Sequence, residues 1–581
     1  MNERLLEPLK YYETEGKAKH DANVNAYFDR LVKESAIDVE ENRATVKEYN
    51  KENDKTNELK GKAKKYKILR VLLIIAAIVG GLTTLLTFGA YSQSVGLGLG
   101  LTIGGISLLV ISIIIIVKKI NPKVKSLDAL IESHLKAARE LYAKATVQVA
   151  PLNALFDERD TVTLLETTLP EINFEDTFSK EQEELFRKHY DFMDMVSDEC
   201  SVTDVMSGSF EGNPFLFCRC LLHEMKTETY HGTLVISWTE TYRDKDGRTR
   251  TRRRTQTLHA SVTKPKPYYH HNTYLCYGNQ AAPKLSFSRK PQVTAKMDEN
   301  DIERKVRKGQ RKLKKKAEKS LNKGGSFQEM ANTEFEVLFG ADNRSNEVEF
   351  RLMYTPLAQT NTVDLITSKS GYGDDFYFMK QQRFNMITTN HAQSWTMSTS
   401  PKSYYSHDVD EIRRKFVSFN NEYFKSVFFD FAPLLSIPAY LEEPCYSLNE
   451  PEEYNANYPY YEHEVLANSL DSSLIKPQNA TENMIIKTCL TGKDGETDKV
   501  QATAYSYFTV ERVDHIPVHG GDGRTHLVPV YWLEYIPTQN TVSLDISRAD
   551  MTKKEYDSRI GKDASLADSA YAHGIIARKI L

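Results

Sequence analysis

Three histidines crowd one glycine-rich stretch of the chain. His515, His519 and His526 surround Gly520-Gly521, and imidazole both ligates metals and titrates near neutral pH. With Asp522 they could hold a metal ion, and with Arg524 an anion; exposed hairpin loops also carry histidines that do neither. Cys218, Cys220 and His223, with Cys200, offer a second donor set, but their spacing matches no familiar zinc pattern. Asp374-Asp375, after Gly373, reads as a turn or helix cap, because adjacent side chains point apart. The stretch RDKDG from Arg243 begins like a calcium loop but lacks the downstream ligands, so it reads as a turn. The chain contains no G-x-x-x-x-G-K-[ST] loop, no H-E-x-x-H helix and no G-x-S-x-G elbow. No cofactor is expected.

The other chemistry on offer is positive charge. Asp301–Gly325 holds eleven basic and three acidic residues, with Ile302, Val306, Leu313, Ala317 and Leu321 recurring about once per turn. This predicts a basic, weakly amphipathic helix. Its Arg304, Lys305, Arg307, Lys308, Arg311, Lys312, Lys314, Lys315 and Lys316 are candidate ligands for an anion or for anionic lipid. A solvated helix between two subdomains is the plain alternative. Arg250, Arg252 and Arg254, flanked by Arg248 and Arg253, add a second candidate anion site on a strand, where charge also serves to block unwanted edge pairing. RNA or DNA phosphate would satisfy the same charges. A net charge of −3 gives no global nucleic-acid signature, however, and nucleic acid is not an expected partner.

These groups need elements to hold them. Val71 to Ala90 is a run of 20 uncharged residues and Val95 to Val117 a run of 23. Each is long enough to cross the roughly 30 Å hydrocarbon core of a bilayer at about 1.5 Å per residue. Only Tyr91 to Ser94 separate them, which predicts an antiparallel transmembrane hairpin. No acidic residue occurs from Leu59 to Leu127. Lys60, Lys62, Lys64, Lys65, Lys67 and Arg70 precede the first span, and Lys118, Lys119, Lys123 and Lys125 follow the second. The positive-inside bias then places both termini in the cytoplasm of a multi-pass cell-membrane protein. Gly96, Gly100 and Gly104 lie on one helical face, ready for packing within the hairpin or between copies. Helical patterns before the first span (Val24, Tyr27, Phe28, Leu31, Val32) and after the second (Val124, Leu127, Ile131, Leu135, Ala138, Tyr142, Ala145, Val149, Leu152) predict a coiled-coil-like stalk.

Beyond the stalk, Ser179 and Gln182 have capping-box spacing for a helix over Lys180–Val196. The period then changes to two. Leu234, Ile236, Trp238 and Tyr242 alternate up to an Asp246-Gly247 turn, the signature of a long β-hairpin. Thr333–Pro356 suggests strand, Asx-rich turn, strand. Leu357–Ser368 suggests a short helix, Gly371–Ile387 a hairpin, and Val409–Phe428 an amphipathic helix burying Ile412, Phe416, Phe419, Tyr423 and Phe424. Val500–Val513 and Leu527–Ile536 predict a third hairpin with the glycine-rich tip, and Ala564–Leu581 a closing amphipathic helix. The motifs GSFEGNPF (Gly208–Phe215) and FEVLFGADNRSNEVEFRLMYTPLA (Phe335–Ala358) resemble those of uncharacterised bacterial two-span membrane proteins that carry a cytoplasmic domain of unknown function. That resemblance covers about Val71 to Met386, implies a bacterial inner membrane, and brings no catalytic residues.

The reading is an α+β protein: a two-helix transmembrane hairpin, a helical stalk, and a β-rich mixed cytoplasmic head. The expected divisions are an N-terminal helical region (1–67), the hairpin (68–118), the stalk (119–200), a β-hairpin subdomain ending in the basic helix (201–330), an α+β subdomain (331–440) and a β-rich C-terminal subdomain (441–581). Six cysteines without a C-x-x-C suit free thiols in a reducing compartment. The expected function is that of a membrane-anchored binding or scaffold protein, touching membrane lipids, an unidentified protein partner, and other copies of itself through the spans or the stalk. The rival is a tethered enzyme or metal-binding protein using the three histidines.

Overall fold

The helical and strand periods of the sequence sort into an α+β chain. The computed structural model describes residues 3–88, 95–192, 197–243, 245–293, 297–325, 327–341, 343–394, 397–441 and 455–580. Two compact units divide it: residues 21–160 with 400–421, and residues 1–20 with 161–399 and 422–581.

The first unit is helical. It is built from α1 (Lys17–Ser35), α2 (Val39–Phe88), α3 (Val95–Ile115) and α4 (Asn121–Leu155). Val24, Phe28 and Leu31 of α1 are buried, as their spacing predicts. The rings of Phe28, Phe156, Tyr404 and Phe416 close around one another at centroid distances of 4.9 to 6.3 Å. Along α4, Val124, Leu127, Ala138, Ala145, Val149 and Leu152 are buried, and α4 packs along α2. There His134 meets Glu52 at 2.5 Å and Lys67 meets Asp128 at 2.9 Å. A π-helical turn at Ile116–Ile120 joins α3 to α4. It loosens the hydrogen-bond ladder just before Pro122, which has no N–H to give to it.

α2 and α3 are long and apolar enough to cross a membrane. Few of their apolar residues are buried: only 6% of the most apolar 18-residue window of α2 is buried in the protein, and Val71, Leu72 and Ile78 are more than half exposed. A core helix of a soluble domain would be covered. Within the chain, α2 and α3 touch at a different glycine pair from the expected face. A Cβ at Gly80 would lie 2.7 Å from the Gly105 carbonyl, so the backbones touch there, while Gly100 and Gly104 meet nothing within 4 Å. The surroundings of Gly96, and the connection Tyr91–Ser94, lie outside the described residues.

The second unit holds two antiparallel sheets. One has the order β1-β2-β3-β4-β7-β6-β5, from β1 (Ile172–Phe174), β2 (Cys200–Phe210), β3 (Asn213–Arg243), β4 (Thr249–Gly278), β5 (Ser286–Arg289), β6 (Phe376–Gln381) and β7 (Phe384–Thr389). The other has the order β11-β12-β10-β9-β8, from β8 (Ile485–Asp494), β9 (Thr497–His519), β10 (Thr525–Arg548), β11 (Ser569–Ala572) and β12 (Ile575–Ile580). The hairpin expected over Gly371–Ile387 forms as β6–β7 at about that length, while the other two predicted hairpins are real but far longer than their sequence signals. At about 3.3 Å per residue, β3 and β4 can reach on the order of 100 Å. Beyond Leu222 no third strand pairs with them among the described residues. Pro265 and Pro267 sit in this part of β4, opposite Thr227 and Met225, where only one side of the strand is paired.

A two-stranded ribbon alone is marginal in water, and here each ribbon covers the other. Ile236 and Leu258 of the β3–β4 ribbon pack on Val528 of β10. Lys264 pairs with Asp514 at 2.7 Å and lies over the Trp532 ring. Gly232 crosses β10 so closely that a Cβ would stand 2.1 Å from the Pro529 carbonyl.

Three predicted elements are corrected. The segment expected as strand, turn, strand folds as two helices, Thr333–Phe339 and Glu347–Met353. Asn332 and Asn346 cap them, and Gly340 ends the first with φ +70. Phe335, Leu338 and Phe339 are buried at helical spacing, a period that the Asx-rich middle concealed. The expected C-terminal helix is instead a short 3-10 turn followed by the β11–β12 hairpin. His573 and Gly574, both with positive φ, make its turn, and β12 pairs with β10. The helix over Lys180 ends at His189, although its Ser179–Gln182 capping box forms as expected.

Candidate functional site

The helix α5 (Glu299–Asn322) presents the densest charge. Asp298 caps its start by accepting from the Asp301 N–H at 2.8 Å. Its thin apolar edge faces α6 (Thr333–Phe339): Leu313 is buried, and a Cβ at Gly309 would collide with Val337 at 2.4 Å. The middle of that edge is therefore used inside the protein, while Leu321 at its end is exposed. The rest of the helix faces outward, and Arg304, Arg307, Lys308, Arg311, Lys312, Lys314 and Lys315 are all exposed. Two of the nine predicted cations turn inward: Lys305 donates to the Gln292 carbonyl, and Lys316 lies 4.5 Å above the Phe327 ring. Arg304 pairs with Asp301 and Arg307 with Glu303 on the helix itself. What remains is a stripe that can meet an anionic surface by charge alone.

The arginines of β4 sit near the tip of the β3–β4 ribbon. Cross-strand register puts Arg250 opposite Tyr242, Arg252 opposite Glu240 and Arg254 opposite Trp238. Paired residues share a face, so all three arginines share one face. Arg254 is already paired with Glu240 at 2.9 Å.

The three histidines do not converge. His519 lies opposite Thr525 and His515 opposite Pro529 on one face of the β9–β10 ribbon, whereas His526 lies opposite Val518 on the other. His526 turns to Asp522 at 2.9 Å. The sulfur set fails for the same reason of parity: Cys218 and Cys220 face the core, with sulfurs 3.6 Å apart, while His223 is odd-numbered on the same strand and faces away. Cys200 and Cys276 join that core as small apolar groups, and burial raises the Cys276 thiol. Among the described residues no group of three His, Cys, Asp or Glu side chains could hold a metal ion.

Among the buried ionic clusters that escaped the sequence reading, two are built around histidines. In one, His391 Nδ1 meets Asp375 at 2.6 Å, and its Nε2 lies 3.3 Å from Asp430. The Tyr372 ring stacks on the imidazole at 3.8 Å, and Thr389 donates to Asp430 at 2.6 Å. Burial pulls His391 down, but the two carboxylates outweigh it and hold the imidazole above its ordinary value. Burial pushes Asp430 up to about 6. In the other, Glu462, His463 and Glu464 are consecutive and all buried on the helix Tyr460–Ser469, which packs into the cores of both sheets. Glu462 meets His573 at 2.8 Å, His463 meets Asp498 at 3.0 Å, and Glu464 meets Lys487 at 2.7 Å. Lys380 is a further buried ion: it donates to the Ala281 carbonyl at 2.9 Å, and burial pulls its amine down to about 7. Every one of these groups already has its partner in the fold. They carry the features of structural locks and offer no open reacting centre.

Comparison with protein-family models, with curated proteins and with solved structures finds no match for this chain.

Proposed function

We propose that this protein is a membrane-anchored binding or scaffold protein. In this reading α2 and α3 form a transmembrane hairpin, α4 packs along the lower part of α2 as a stalk, and the α+β head lies in the cytoplasm. There α5 meets anionic lipid headgroups. The bare apolar surface of α2 and α3 carries the proposal, since water would not tolerate so much exposed hydrocarbon on a monomer. The lysines on both flanks and the absence of acidic residues from Leu59 to Leu127 support the orientation. The exposed stripe on α5 supports the headgroup contact, each cation near such a surface contributing about 1 kcal/mol.

The experiment uses the full chain in vesicles, with exposed Cys489 replaced by Ser and a dye on a Cys in place of exposed Leu321. Energy transfer to a headgroup-labelled lipid should be strong in phosphatidylcholine containing phosphatidylglycerol, weak in phosphatidylcholine alone, and lost at high salt. Equal transfer in both vesicles, unmoved by salt, would remove α5 from the reading. Recovery of the chain in the supernatant after ultracentrifugation without detergent would remove the anchor.

A further inference from the structure

A groove of about 550 Å³ opens between α2 and α4, where the lysine-rich part of α2 gives way to its apolar part. Its upper wall is Lys60, Lys64 and Lys67, at helical spacing on one face of α2. Its lower wall is Ile68, Val71 and Leu72, with Ile131 of α4 across from them and buried Ala63 leaving room at the back. Lys67 is committed to Asp128 at 2.9 Å, which fixes the mouth of the groove. Lys60 and Lys64 are exposed, and neither has a carboxylate partner among the described residues. The site is therefore two-toned along one line: unpaired ammonium groups above, branched hydrocarbon below.

We infer that this groove binds one anionic glycerophospholipid. Its phosphate sits between Lys60 and Lys64, and an acyl chain runs down Ile68, Val71, Leu72 and Ile131. Charge complementarity selects the headgroup, and the apolar wall selects a lipid over a free anion. Long lysine side chains can lie along the apolar wall and keep their charged ends at the headgroup level. The inference rests on the membrane reading above and goes beyond it. It names a stoichiometric site on the anchor itself, separate from the diffuse stripe on α5.

The test is native mass spectrometry of the full chain in non-ionic detergent with dioleoyl-phosphatidylglycerol or dioleoyl-phosphatidylcholine added in equal amounts. The phosphatidylglycerol adduct should be retained about tenfold more, at one per chain. Lys60→Glu with Lys64→Glu should abolish the preference, and Lys60→Gln with Lys64→Gln should weaken it. Both pairs are exposed and should leave the melting temperature unchanged. Lys312→Gln, Lys314→Gln and Lys315→Gln on α5 should leave the adduct intact. Equal retention of the two lipids, or an adduct that survives the double charge reversal, would overturn the groove while the chain still sediments with membranes. A chain that does not sediment overturns the anchor instead.

Discussion

The basic helix α5 and the buried helix Tyr460–Ser469 both string ionisable residues together, and they use them in opposite ways. In α5 most of the cations face solvent, and the protein is met by part of its apolar edge and by Lys305 and Lys316. In the buried helix Glu462, His463 and Glu464 each find a partner on a different segment: the β11–β12 turn, β9 and β8. A buried charge that is paired holds elements in place, and removing its partner is severe because the survivor is left in a low-dielectric interior. A solvent-facing cation adds little to stability. So a dense exposed stripe has its explanation outside the chain, and a dense buried cluster has it inside.

The largest effect should come from cutting the inner set. Glu464 accepts from the Val202 N–H at 2.8 Å and pairs with Lys487, so it ties β2 to β8 through one carboxylate. Glu464→Ala leaves the Val202 N–H without its acceptor and Lys487 without its counter-charge, with only the Cys200 carbonyl left to that amine, and should cost about 3–5 kcal/mol. Glu464→Gln, which keeps an acceptor for Val202, should cost less. Denaturant melts of the two variants decide this. Equal midpoints for Glu464→Ala and the parent would place these charges outside the structural set.

A smaller effect should appear as a pH dependence. His391 is held above its ordinary value, so its contribution is complete below about pH 6.5 and is lost as pH rises through the higher folded value. Asp430, raised to about 6, has the same sign: the folded state holds that proton more tightly than the unfolded chain, and the gain disappears between about pH 4 and pH 6. The parent should therefore lose stability relative to Asp430→Asn as pH rises from 4 to 7, by on the order of 2 kcal/mol. A difference that stays flat, or grows with the opposite sign, would show that the carboxyl is not held protonated by its surroundings.

Legibility followed the same division. Features that repeat along the chain could be read directly. Two uncharged runs gave two apolar helices, the alternation around Leu234–Trp238 gave a ribbon, and the lysine stripe gave α5. Features made by segments far apart in sequence could not. The helix Tyr460–Ser469 was not expected within a subdomain read as β-rich, and nothing in YYEHEVLANS announces that His573, Asp498 and Lys487 will meet its charges. His391 lies sixteen residues from Asp375 and thirty-nine from Asp430, and only the packing of helix Val409–Leu435 brings the second carboxylate to it. The three histidines were the reverse case. They are close in sequence, yet strand parity separates His526 from His515 and His519.

The smallest expected change in stability carries the most functional weight. Lys312→Gln, Lys314→Gln and Lys315→Gln remove three exposed cations from α5, none of which has an ion pair among the described residues. Surface changes of this kind usually stay within about 0.5 kcal/mol, so the melting curve should not move. Contact with phosphatidylglycerol-containing vesicles, read by the energy-transfer assay, should fall sharply, and what remains should depend less steeply on salt because fewer counter-charges are released. A binding defect without a folding defect separates a surface kept for a partner from one that merely keeps the head soluble. If the triple variant bound as the parent does, the stripe would be a solvating face, and α5 would belong with the structural charges after all.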